Sequence, residues 1–412
     1  MIKSTVITVL ASILLFVSCR KPVNPGVIMI GFDGVSIDVI DDMAGRGELP
    51  GFRKLMDEGA TLKVKSFGKM LSPVIWTTVI TGKTPDKHGI SDFITRESPK
   101  GKMSFSVYSY NRKAKALWNL VPDNGSRAAV VNWWGTYPCE KIDGTIVSKQ
   151  FIESYVPKKI YSELSVYPED YSRTCMEISE GVISEYDEKK LELGLKYPSE
   201  HSIHYYKDQS VFEIFKNLYD NDSSYGFLAA YFWELDQIQH IYYYAYDREY
   251  DQELIPKRGI KVRDNFDEHI ITDYYRYYDL ILQEIISMMD DNTVLFVVSD
   301  HGFGMVETGI PWHLDTTYGF CYSSGKYIKK GVSVPGIEMT DFVPTILYIL
   351  GFPVAEDMDG KVITEILNKD FFNREIKYVE SYDRGFAVER PDHVNPVEED
   401  QIERLRTLGY IN

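Results

Sequence analysis

Apolar positions along the chain fall into short solid runs, each released onto a polar or glycine-containing turn. Gly26–Asp33 (GVIMIGFD), Ala128–Trp133 (AAVVNW), Tyr225–Asp236 (YGFLAAYFWELD) and Thr293–Ser299 (TVLFVVS) are nearly continuous rather than alternating. A strand buried on one face alternates, whereas one buried on both faces reads as an unbroken apolar run. Between these runs the apolar positions take helical spacing, over Leu49–Gly59, from Ser72 onward, and over Lys115–Val121, Asp267–Met289 and Met339–Leu350. Gly59, the P-D-N-G of 122–125 and Gly351 supply stops for three of them. Strands alternating with helices predict an α/β fold, a mostly parallel sheet with helices on both faces. Two polar, tyrosine-rich tracts break the rhythm, Glu153–Tyr206 and Tyr242–Asp264. Both read as insertions, the first (about 151–207) as a cap over a site.

The N-terminal residues do not fit this rhythm. Lys3 precedes an apolar run, Val6–Val17, that is too short to span a bilayer comfortably, and Ser18-Cys19 follows. L-L-F-V-S-C resembles a bacterial lipobox. It predicts a signal peptide over 1–19 and an exported protein held at a bacterial membrane, periplasmic or at the cell surface, by lipid on Cys19; a plain signal peptide is the alternative. Residues 26–412 then form one domain carrying the insertions.

Composition narrows the choice of partners. The chain has 412 residues, a formal charge of −16 and no cluster of Lys and Arg, which argues against a nucleic-acid partner. An anionic substrate would therefore need a local reversal of the field, which a metal centre provides. The cysteines at 19, 139, 175 and 321 show neither metal-type spacing nor a disulfide framework.

The chemistry-bearing residues stand where the strands finish. Parallel sheets place ligands at the carboxyl ends of their strands, and three apolar runs here deliver an aspartate: Asp33, Asp236 and Asp300. Three carboxylates at one sheet edge repel one another unless a cation sits among them. His240 follows Asp236 by four residues, on the same face of a helical turn; His301 adjoins Asp300, and His313 lies shortly downstream. Mixed Asp and His ligands suit zinc, with manganese or iron as alternatives. Ser72-Pro73 has the form of an N-cap followed by proline at the first helical position. A hydroxyl there sits at the positive end of the helix, where an alkoxide and a phosphate are favoured.

These motifs resemble the alkaline phosphatase superfamily, in its branch of type I phosphodiesterases and nucleotide pyrophosphatases. The resemblance runs through I-G-F-D-G (30–34), S-P-V-I-W-T-T-V-I-T-G-K-T-P-D-K-H-G-I (72–90), V-V-N-W-W-G-T-Y-P (130–138), L-D-Q-I-Q-H (235–240), V-S-D-H-G-F (298–303) and T-D-F-V-P-T-I-L-Y-I-L-G (340–351). It implies an alkaline phosphatase-like fold and a two-metal phosphoester hydrolase acting through a covalent phospho-enzyme. Asp236, His240 and His313 would hold one ion, and Asp33, Asp300 and His301 the other, with the oxygen of the nucleophile as a further ligand. Counting ten residues back from Gly82 makes that nucleophile Ser72, with Thr77 and Thr78 ranked after it. The substrate would be small and phosphorylated: a nucleotide, a phosphodiester or a phosphonate.

Some positions depart from the family pattern. Phe93 stands where nucleotide pyrophosphatases commonly carry an asparagine for a phosphoryl oxygen, and Ile75-Trp76 replaces their Asn-His. The interval from His301 to His313 is also short. These departures bear on nucleotide specificity more than on metal chemistry. A sulfatase is disfavoured, because S-P-V-I-W lacks the arginine of the formylglycine motif. A phosphotransferase or phosphomonoesterase of the same superfamily, and a non-catalytic ligand-binding lipoprotein, are the alternatives.

Overall fold

The computed structural model describes residues 25–65, 71–96, 103–185, 202–246, 269–305, 311–313, 318–392, 402 and 405–406. The lipobox and Cys19, with most of the Tyr242–Asp264 tract, lie outside them. Nine strands form one sheet: β1 (Gly26–Phe32), β2 (Ala60–Lys65), β3 (Arg127–Val131), β4 (Gly144–Val147), β5 (Val166–Tyr167), β6 (Tyr225–Phe232), β7 (Thr293–Ser299), β8 (Gly319–Ser324) and β9 (Val332–Glu338). Their spatial order is β9-β2-β8-β7-β1-β6-β3-β4-β5. β1 runs parallel to both β6 and β7, and β3 is parallel to β4 and β6. Only β8, between β7 and β2, and the edge strand β5 run antiparallel to their neighbours.

The unbroken apolar runs are explained by burial on both sides. In β1, Val27 and Met29 enter one core, with helices Ser72–Thr81, Leu117–Asp123 and Phe342–Leu350. Ile28, Ile30 and Phe32 enter the other, with Pro50–Glu58, Lys149–Lys158, Ser202–Asn221 and Ile270–Met288. The sheet is therefore mostly parallel, with helices on both faces, as the pattern requires.

The bounds differ from expectation in informative places. The Tyr225–Asp236 run is not all strand: β6 stops at Phe232 and a helix opens at Glu234, so Asp236 lies in its first turn. W-E-L continues the apolar texture past the real boundary, and texture alone cannot separate a buried strand from a buried helix start. The helix expected from Asp267 spans Ile270–Met288, and that from Met339 begins as a 3₁₀ turn before Phe342–Leu350. Within about 151–207 the described residues form most of Lys149–Lys158, the edge strand β5, the helix Ser172–Ser184 and the start of Ser202–Asn221. No described helix is long and apolar enough to cross a membrane.

Candidate metal centre and nucleophile

β1 and β7 are adjacent and parallel, so the residues that follow them meet at one edge. Asp33 follows Phe32 directly and Asp300 follows Ser299. Gly34 then turns the chain at φ +66°, and its N–H donates to Asp300 Oδ1 at 3.2 Å. A side chain is excluded at Gly34 on two counts, the left-handed φ and a Cβ position only 2.9 Å from Asp236 Oδ1. This glycine allows the three aspartates to converge.

Asp33, Asp300 and His301 are completely buried. His301 Nδ1 faces the Gly302 carbonyl at 3.1 Å. A carbonyl only accepts, so Nδ1 carries the proton and Nε2 presents its lone pair. Nε2 lies 3.4 Å from Asp33 Oδ1 and 3.4 Å from Asp300 Oδ2. None of these three atoms has a hydrogen-bond partner among the described residues. Burial, and then the neighbouring Asp33 carboxylate, push the Asp300 carboxyl well above its ordinary range. Burial lowers the His301 imidazole, but contact with Asp33 outweighs it and the net shift is upward. Three convergent bare ligand atoms of these types, with unrelieved carboxylate repulsion, fit a divalent cation.

The second group is built differently. Asp236 and His240 share one helix face, 3.7 Å apart from Oδ2 to Nε2. His313 arrives on a short ribbon in which Phe303–Met305 pairs antiparallel with Pro311–His313, with His313 opposite Phe303. This return pairing is how so short an interval after His301 brings His313 back to the site. Its Nε2 is 3.2 Å from Asp236 Oδ1 and 3.2 Å from His240 Nε2, and its ring stacks on His301 with centroids 3.7 Å apart. Burial works against ionisation of Asp236, but His240, His313 and His301 hold its carboxyl below the usual range. Ligand atoms of Asp236, His301 and His313 lie within 4.8 Å of one another, as do those of Asp33, Asp300 and His301. His301 thus stands between the two groups.

Ser72 is the first residue of the Ser72–Thr81 helix rather than its N-cap. Leu71 is the cap, and its carbonyl accepts from Ile75 N at 3.1 Å. The Ser72 side chain makes no capping bond among the described residues. Its Oγ is fully buried and has no partner among the described residues. Thr77 and Thr78 donate to the carbonyls of Pro73 and Val74 at 2.6 and 2.9 Å. One turn beyond Ser72, Trp76 donates its indole N–H to Asp33 Oδ2 at 2.9 Å, which ties this helix to the Asp33 group. Tyr231 donates to the same oxygen. Neither Trp76 nor Tyr231 was expected at the site; the signal was the departure at Ile75-Trp76, a donor one helical turn from a candidate nucleophile.

Known proteins resemble this arrangement at the level of fold. The chain is 11% identical to murine ectonucleotide pyrophosphatase/phosphodiesterase 5, over 83% of this chain and 100% of that one, with a TM-score of 0.51. A second structure of the murine protein, an inactive threonine-to-alanine variant in complex with AMP, matches at 12% identity over 84% and 100%, with a TM-score of 0.50. At the level of sequence, the family model "Type I phosphodiesterase / nucleotide pyrophosphatase" matches residues 27–318, a span that contains every candidate ligand, and the chain belongs to that family of phosphoester hydrolases, on an alkaline-phosphatase-like fold.

Proposed function

We propose that the chain is a two-metal phosphoester hydrolase with Ser72 as its nucleophile. The observation that carries this reading is a set of four buried atoms without partners among the described residues: Asp33 Oδ1, Asp300 Oδ2, His301 Nε2 and Ser72 Oγ. Leaving so many polar atoms unsatisfied costs stability unless a ligand completes them. Asp33, Asp300, His301 and the Ser72 oxygen would hold one ion, and Asp236, His240 and His313 the other, zinc first and manganese or iron as alternatives. When bound, such ions supply the positive charge that lowers the pKa of a hydroxyl and neutralises phosphoryl oxygens.

The residues of the chain do the rest. Ser72 Oγ bonds to phosphorus as the bond to the leaving oxygen breaks, and the hydroxyl proton passes to solvent or to the departing alcohol. Water then attacks phosphorus, breaks the Ser72–phosphate bond and restores the hydroxyl. The start of the helix offers Ser72 and the phosphoryl group the positive end of the dipole.

The AMP complex of the murine protein supports a nucleotide as one substrate class; Phe93 and Trp76 favour keeping other phosphodiesters and phosphonates beside it. The leaving-group pocket is assigned to the insertions, the first of them the cap-like tract at about 151–207. The lipobox supports export and anchoring at Cys19, tested by release of Cys19→Ser from the membrane fraction. The reading itself is tested by comparing metal-loaded protein on bis-p-nitrophenyl phosphate and p-nitrophenyl phosphate. Faster diester turnover, abolished by chelation, is expected; faster monoester turnover would favour the phosphomonoesterase alternative. Transfer of the phosphoryl group to added alcohol in preference to water would favour the phosphotransferase. No turnover of either ester, with metal bound, would overturn the enzyme reading.

A further inference from the structure

We propose that Trp76 and Tyr231 are positioning residues for the Asp33 metal site, holding one carboxylate oxygen so that the other is presented bare to the ion. The inference rests on the two-metal reading and concerns residues outside the ligand set.

The direction of each hydrogen bond follows from elimination. An indole N–H can only donate. Trp76 Nε1, 2.9 Å from Asp33 Oδ2, therefore donates to it. Trp134 Nε1, 2.9 Å from the Tyr231 hydroxyl, must likewise donate to that oxygen. The Tyr231 proton is then left to Asp33 Oδ2, the one remaining acceptor set against it among the described residues. Asp33 Oδ2 thus receives two neutral donors, while Oδ1 has none among the described residues and lies 3.4 Å from His301 Nε2. A carboxylate held in this way offers one oxygen in one direction.

The surrounding packing is built around the same pair. Gly31 lies in register with Tyr231 on the neighbouring strand, two residues before Asp33 and on the same sheet face. A Cβ at Gly31 would stand 2.7 Å from the Trp76 ring and 3.1 Å from the Tyr231 ring. The two rings meet edge-on over this gap, with centroids 4.9 Å apart. Trp76 also receives the Trp133 indole N–H on its backbone carbonyl at 3.1 Å, so the helix carrying Ser72 and the orientation of Asp33 are fixed through one residue.

Zinc titration against a competing chromophoric chelator tests the assignment. The Asp236→Asn background isolates the Asp33 site. In it, Tyr231→Phe and Trp76→Phe, which keep the ring and delete the donor, are expected to weaken zinc binding about 10–100-fold. The reciprocal background, Asp300→Asn, should bind zinc at its remaining site equally well with and without Tyr231→Phe. If Tyr231→Phe does not fold, Trp134→Phe takes its place and should weaken the same site to a lesser degree. Unchanged zinc affinity at the Asp33 site overturns the inference, and so does an equal loss at both sites. A fall in melting temperature of the metal-free protein without a change in affinity also overturns it, since that is what a packing role alone would give. A wild-type protein that binds no zinc, manganese or iron instead overturns the two-metal reading.

Discussion

The helix Ser72–Thr81 carries four buried hydroxyls, and its two ends treat them differently. In its C-terminal half Thr77, Thr78 and Thr81 each donate to the carbonyl four residues earlier, at 2.6, 2.9 and 2.7 Å. At its N-terminal end Ser72, equally buried, is bonded to nothing among the described residues. A serine at the first helical position has no preceding turn of helix to bond back to, whereas a threonine one turn later does. The same functional group is thus spent on the backbone at one end and kept available at the other. Hydroxyl chemistry alone would not have told these residues apart; their positions relative to the helix start do.

The largest test of this contrast is Ser72→Ala. Turnover should fall by about a thousandfold or more, because in the proposed mechanism Ser72 supplies both the covalent step and a metal ligand. Bound metal measured by elemental analysis should remain near the wild-type level, since six Asp and His ligands are untouched. Phosphate trapped from substrate at low pH should map to the peptide containing Ser72; trapping on Thr77 or Thr78 would reverse the roles of the two ends.

A second test reaches the C-terminal half through pH. His88 Nδ1 accepts from Ile90 N at 3.2 Å, so the proton of the neutral ring sits on Nε2, which donates to Thr78 Oγ1 at 3.0 Å. Burial, reinforced by Arg112, depresses this imidazole from 6.5 to about 3. The folded pKa lies below the unfolded one, so the unfolded chain takes up the proton first on acidification. Stability from this group is therefore full above about 6.5 and is lost progressively down to about 3. The full loss is on the order of 5 kcal/mol. Urea unfolding of metal-free wild type and His88→Gln at several pH values should show a steeper acid loss in the wild type. Parallel curves would remove His88 as the source.

Smaller effects complete the series. Thr78→Val leaves the His88 Nε2–H without its acceptor and should cost about 1–3 kcal/mol in unfolding free energy while turnover stays within a few-fold. Thr77→Val deletes only a bond back to its own helix and should cost no more than about 1 kcal/mol. A large loss of turnover in either variant would erase the difference between the two ends.

The sequence made the sheet edge legible because Asp33 and Asp300-His301 come at the sharp ends of solid apolar runs, where burial on both faces leaves one reading. It misplaced the end of β6 because Trp233 and Leu235 stay apolar after the backbone has changed from strand to helix. It did not separate β2 or β8 from their surroundings, since short strands that pair antiparallel depend on distant partners rather than on local pattern. Ser72 reads from the sequence as a helix cap, whereas it is the first helical residue. The donors to Asp33 were missed: the departure at Ile75-Trp76 marks a donor near Ser72, but nothing local says that the Trp76 N–H and the Tyr231 O–H meet the same oxygen.

The ribbon that delivers His313 gives the site a reading frame. His313 reaches the other ligands because it stands opposite Phe303, two residues beyond His301. A slip of one residue in that pairing would put Trp312 opposite Phe303 and turn the imidazole to the other side. A slip of two would restore the side but displace the ring by about 7 Å along the strand. Every codon for a candidate ligand would remain intact while the proposed centre lost one of its histidines, so insertions and deletions within this ribbon should be as damaging as substitutions of those ligands.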